Sequence, residues 1–114
     1  MLRPAKFLLL VAAPLVSSAV LSSAVLAQDA LVLTIKDHKF EPAELRVPAD
    51  KAVTITVKNL DPTAEEFESK ALKIEKVIAG KSEGTVRLRA MKPGRYEFVG
   101  EFHEKTAKGV IIVE

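Results

Sequence analysis

The chain has 114 residues and contains no cysteine and no tryptophan, one tyrosine and five phenylalanines. Without cysteine there can be no disulfide, thiolate metal ligand, iron–sulfur cluster or cysteine nucleophile. Histidine is nearly as scarce, with only His38 and His103 to serve as imidazole bases. A glycine-rich phosphate loop and an H-E-x-x-H pair are both missing, which argues against phosphoryl-transfer and zinc-protease chemistry. Charge of one sign is also missing, since 17 basic residues face 15 acidic ones. No basic run exceeds two residues, so nucleic acid is not an expected partner.

Charge is absent altogether from Phe7 to Ala27, directly after Arg3 and Lys6. A positive start, an apolar run and the small-residue pattern Val25-Leu26-Ala27 predict a signal peptide over residues 1–27. An uncleaved membrane anchor is the alternative, which Pro14 and Ser17, Ser18, Ser22 and Ser23 weaken. Export places residues 28–114 in the periplasm as a single 87-residue domain with 15 basic and 15 acidic residues.

What is present in that domain has a period of two. Leu31, Leu33 and Ile35 alternate with Val32, Thr34 and Lys36, and Val53, Ile55 and Val57 with Thr54, Thr56 and Lys58. Val86 and Leu88, then Tyr96 and Phe98, repeat the alternation, and residues 110–113 form a short apolar run. Such runs are half-buried strands, and Pro48, Asp61-Pro62, Gly80, Pro93-Gly94 and Gly109 punctuate them as turns. The pattern predicts an all-β, antiparallel sandwich or barrel. Only residues 61–70 break it, being polar enough to read as a loop or single helical turn.

Two acidic clusters carry the candidate chemistry. One is Glu65-Glu66-Phe67-Glu68, and the other is Gly100-Glu101-Phe102-His103-Glu104 after the strand ending at Val99. An acidic run is ordinarily a solvated face. Carboxylates beside a histidine on an interstrand loop, however, suit divalent copper, iron or zinc. His38, between Asp37 and Lys39, reads as a surface residue, with a role as additional ligand depending on where its loop lies.

The order of these segments resembles the cupredoxin family over nearly all of residues 30–114. Phe40-Glu41-Pro42 through Ala49 is similar to the early strand and turn of bacterial cupredoxin-like domains. Lys58-Asn59-Leu60-Asp61 resembles the segment running into the first copper-ligand histidine. Pro93-Gly94-Arg95-Tyr96-Glu97-Phe98 and Lys108-Gly109-Val110-Ile111-Ile112-Val113 are similar to the strands flanking the ligand loop. The resemblance implies a Greek-key β-sandwich. It also aligns Glu65 with the first histidine, Gly100 with the cysteine, His103 with the second histidine and Ala107 with the axial methionine. A trigonal copper–thiolate centre needs that cysteine, so no type 1 copper and no blue-copper electron transfer are expected.

The departures from the ligand set resemble cysteine-poor cupredoxin-like domains of bacterial ferrous-iron uptake. The implied site holds copper(II) and/or iron on Glu65, Glu101 and His103, with Glu66 and Glu68 adding carboxylates. Strand alternation directs Glu66 and Glu68 toward the opposite side of their segment. The implied partners are the metal ion and a membrane iron permease or companion iron-binding protein, with ferroxidase activity as the implied chemistry. The alternatives are a metal-free module docking on a transporter, and a periplasmic copper-handling protein. The last is disfavoured because Met1 and Met91 are the only methionines.

Overall fold

The computed structural model describes residues 31–114, so the expected signal peptide at residues 1–27 lies outside the described residues. Nine strands follow in order: β1 Leu31–Lys36, β2 Lys39–Glu41, β3 Glu44–Val47, β4 Val53–Asn59, β5 Glu65–Ser69, β6 Ile74–Ile78, β7 Ser82–Leu88, β8 Gly94–Gly100 and β9 Lys108–Val113. A 3₁₀ turn, Glu101–His103, links β8 toward β9. Strands β2-β1-β4-β7 form one sheet and β3-β9-β8-β5-β6 the other. The fold is the expected all-β sandwich.

Alternation builds the layers. Leu33 and Ile35 of β1, Ile55 and Val57 of β4, and Val86 and Leu88 of β7 are buried from one sheet. Phe67 of β5, Phe98 of β8, and Ile111 and Val113 of β9 are buried from the other. Phe98 holds the aromatic part of this core together. Its ring lies 4.9 Å from Phe40 edge-on and 4.8 Å from Phe67 in a stack.

Two sequence expectations need correction. The sandwich is not wholly antiparallel, because β1 pairs with β4 and β3 with β9 in parallel. In each case the chain crosses to the other sheet before returning, which a hairpin cannot do. Residues 65–69 are no loop or helical turn, but a strand between β8 and β6. Glu65, Phe67 and Ser69 are buried while Glu66 and Glu68 are half-exposed. The alternation was hidden because two of the three inward positions are polar, and both find hydrogen-bond partners inside. Ser69 Oγ donates to the Glu97 carbonyl at 2.7 Å.

Candidate functional site

One end of the sandwich is closed by three connections: the β1–β2 turn, the segment entering β5, and the loop from β8 to β9. The last begins at Gly100, whose amide donates to the Ala107 carbonyl at 2.8 Å. The amides of Thr106 and Ala107 donate to the His103 carbonyl at 3.1 and 2.8 Å. These bonds fix where His103 leaves the backbone.

Glu65, the first residue of β5, is 1% exposed, and its carboxylate points into this end. Oε1 accepts the amides of Glu66 at 3.0 Å and Phe102 at 2.9 Å. Oε2 lies 2.6 Å from His103 Nδ1. With Glu65 ionised, Nδ1 is the donor, and the short separation is that of a charge-assisted bond. Both oxygens are thereby satisfied, as a buried carboxylate requires. The His103 side chain remains 27% exposed.

Space for this pair comes from two small residues. A Cβ added at Gly100 would lie 2.6 Å from Glu65 Cδ, 2.8 Å from Glu65 Oε2 and 2.7 Å from Ala107 Cβ. The carboxylate therefore fills the volume into which a side chain at position 100 would project. Ala107 is fully buried beside it.

His38 reaches the site from the opposite sheet. It is half-exposed at the surface, and its ring stacks on His103 with centroids 3.5 Å apart and planes at 12°. Asp37 and His38 form the two-residue turn between β1 and β2, at φ of 54° and 59°. Buried Asp61 accepts both turn amides, Asp37 at 2.8 Å through Oδ1 and His38 at 2.9 Å through Oδ2. Burial pushes the Asp61 carboxyl up, but the His38 and Asp37 amides, with the nearby imidazoles, outweigh it and hold the group below its ordinary value. Asp61 and Thr106 were missed in the sequence because their partners are 23 and 68 residues away. The only local signal was a two-residue connection, Asp37-His38, between alternating runs and lacking glycine.

The other predicted residues gather elsewhere. Glu66 and Glu68 face away from Glu65 along β5, as alternation requires. Glu101 sits with them, since the β5–β8 register puts Phe67 opposite Gly100. The Glu66 carboxyl against Glu101 raises the Glu101 pKa, reinforced by desolvation and by the charge of Glu104. Desolvation, then the charges of Glu101 and Glu75, raises Glu68 likewise. Glu68, Glu101 and Glu104 border an open cavity of about 510 Å³ together with Lys70 and Arg95. Thus the expected ligand set divides into a buried Glu65–His103 pair and an outer carboxylate group. Among the described residues, no group of three or more His, Asp or Glu is arranged to hold a metal ion.

The cupredoxin-like domain model matches residues 6–113, nearly the whole chain. The chain belongs to the cupredoxin-like family. A Rickettsia prowazekii protein described as uncharacterised is 44% identical over 81 residues, covering 71% of this chain. The match spans 65% of that relative's length. Among solved structures, a reduced amicyanin variant is similar at a TM-score of 0.58 and 26% identity, covering 81% of this chain and 89% of its own. The metal-binding domain of a Streptococcus pneumoniae Cu(I)-exporting P-type ATPase, solved with Cu(I), is similar at a TM-score of 0.65. Its identity is 21%, with 74% and 83% of the two chains covered, so it bears on the fold alone.

Type 1 copper does not fit this cupredoxin-like domain. Position 100 carries no thiolate, the volume before it holds the Glu65 carboxylate, and buried Ala107 offers no thioether. The Glu65–His103 pair instead combines one oxygen and one nitrogen donor, a chemistry suited to divalent first-row ions.

Proposed function

We propose that this chain is an exported cupredoxin-like metal-binding protein that supports ferrous-iron uptake, with Glu65 and His103 as its inner donors. The observation that carries the reading is the buried Glu65 carboxylate held 2.6 Å from His103 Nδ1. The carboxylate and the imidazole already share one end of the sandwich, and to hold an ion their 2.6 Å hydrogen bond would open to admit two metal–ligand bonds of about 2.0–2.2 Å. The Nδ1 proton would leave to solvent as the pair takes a cation, making uptake pH-dependent. Glu66, Glu68 and Glu101 form an outer carboxylate group suited by charge to draw cations toward this end. Copper bound at the pair would supply a one-electron acceptor for Fe(II), which is the ferroxidase form of the proposal. An amicyanin variant described in its Cu(I) state, similar to this chain at 26% identity and a TM-score of 0.58, supports copper as a candidate ion. An iron permease or companion iron-binding protein is the proposed partner, and residues 1–27 the proposed export signal.

The test is titration of the purified protein with Cu(II), and anaerobically with Fe(II), alongside Glu65→Gln and His103→Ala. The expected result is one strongly bound ion per chain, lost in both variants, with a Cu(II) resonance of nitrogen–oxygen type and no intense blue colour. Anaerobic Fe(II) added to the copper form should reduce one Cu(II) for each Fe(II) oxidised. No stoichiometric uptake of either ion overturns the proposal.

A metal-free docking module is the second reading, favoured by two observations. All the acceptor positions used by Glu65 are already filled from within the protein, and Phe102 beside His103 is 52% exposed. Unchanged metal behaviour in the two variants, with lost binding to a membrane transporter, would select it.

A further inference from the structure

The β1–β2 turn is costly for its sequence. Two consecutive left-handed residues favour Asn-Gly or Asp-Gly, yet the second position here is histidine, at φ 59°. A non-glycine residue persists in that region when surrounding contacts over-determine it. Three contacts do so. Asp61 grips the Asp37 and His38 amides, Thr106 Oγ1 donates to the His38 carbonyl at 2.6 Å, and the His38 ring lies on His103. Thr106 belongs to the same loop as His103, so that loop is tied to the opposite sheet at two points.

The stacking geometry decides what His38 does. A ring nitrogen binds an ion along its lone pair, which lies in the ring plane. Two rings 3.5 Å apart and 12° from parallel direct those lone pairs side by side and not to one point. His38 is therefore not a second ligand beside His103 in this arrangement. The face of its ring is what meets the site.

We infer that His38 is a positioning residue. Clamped by Asp61 and Thr106, it holds the His103 ring by stacking so that Nδ1 stays on Glu65 while the rest of the ring faces outward. Neither the ring stacking nor the Glu65–His103 hydrogen bond depends on a bound metal. A failed metal titration would leave it standing, and its own failure would leave the metal reading intact.

The experiment follows the His103 Nδ1–H signal of the full chain by ¹⁵N–¹H correlation spectroscopy, with the amides of β4 and β8 reporting an intact fold. His38→Asn keeps a side chain tolerant of the left-handed turn and removes the ring. It should speed exchange of that proton about fivefold, as loss of one aromatic pair implies. His38→Phe restores the ring without nitrogen and should return exchange to the wild-type rate. Thr106→Val removes the hydroxyl tether and should speed exchange in the same direction. It carries the test if His38→Asn does not fold. Unchanged exchange in His38→Asn, or in Thr106→Val where that variant decides, overturns the inference. So does a His38→Phe protein that behaves like His38→Asn, because the ring nitrogens would then be the operative groups.

Discussion

A methyl group at Gly100 would stand 2.6 Å from Glu65 Cδ and 2.7 Å from Ala107 Cβ, both held by the buried interior. Neither can retreat without moving β5 or the β8–β9 loop, so the residue is required for close approach and not for an unusual backbone angle. Gly100→Ala is expected to destabilise the protein by about 1–3 kcal/mol, the usual cost of overpacking. Its urea midpoint should fall, and the Glu65–His103 bond should break with it. Retention of both stability and the His103 Nδ1–H signal would mean that the carboxylate has room to move aside. The same crowding explains why the position aligned with a cysteine ligand cannot simply regain one while Glu65 is present.

Among the elements, the β1–β2 hairpin shows how a buried acid organises a turn. Asp61 lies beyond the end of β4, where Asn59 Oδ1 accepts its amide at 3.0 Å. Its carboxylate then reaches both amides of the turn. Burial alone would raise its pKa, but hydrogen bonding to the charged form lowers it below the ordinary 3.8. A carboxyl depressed on folding contributes stability above its unfolded pKa, and that contribution is lost as pH falls through the lower folded value. Wild-type stability should therefore drop below about pH 4 more steeply than that of Asp61→Asn. Urea unfolding measured at pH steps through the acid range checks this, and parallel curves for the two proteins would contradict it. Strand β5 is the companion case. Its residues read as a polar connection, yet it becomes an interior strand because Glu65 and Ser69 find partners that only β8 and its following loop supply.

For the whole molecule, the sandwich concentrates charge at its rim. Glu66 and Glu68 come from β5, and Glu101 and Glu104 from the connection between β8 and β9, with Lys70 partly offsetting Glu68 and Glu101. The Glu66 carboxyl raises Glu101, and desolvation raises Glu68. For a carboxyl raised on folding, the associated stability is fully present below its unfolded pKa and is lost as pH rises through the folded value. These groups therefore work against the fold at neutral pH. Glu101→Gln is expected to raise the thermal midpoint at pH 7 and to leave it nearly unchanged at pH 4. Added salt should narrow the neutral-pH difference by screening. A variant less stable than wild type at pH 7 would show that Glu101 makes a net favourable contact.

Alternation along the sequence was enough to identify β1, β4, β7, β8 and β9 and several of the turns between them, and the missing cysteine was enough to exclude type 1 copper. Alternation of Ile55 and Val57 with polar neighbours is a local property, and the absence of cysteine holds under any fold. The pairing of Glu65 with His103 was legible only through resemblance to a fold whose ends bring those segments together. Tertiary structure alone decided that Glu101 joins Glu66 outside, that His38 lies on His103, and that Asp61 and Thr106 hold it there. Those outcomes depend on strand register and on which loops share an end of the sandwich. Such contacts span 23 to 68 residues of chain, beyond the reach of any local pattern.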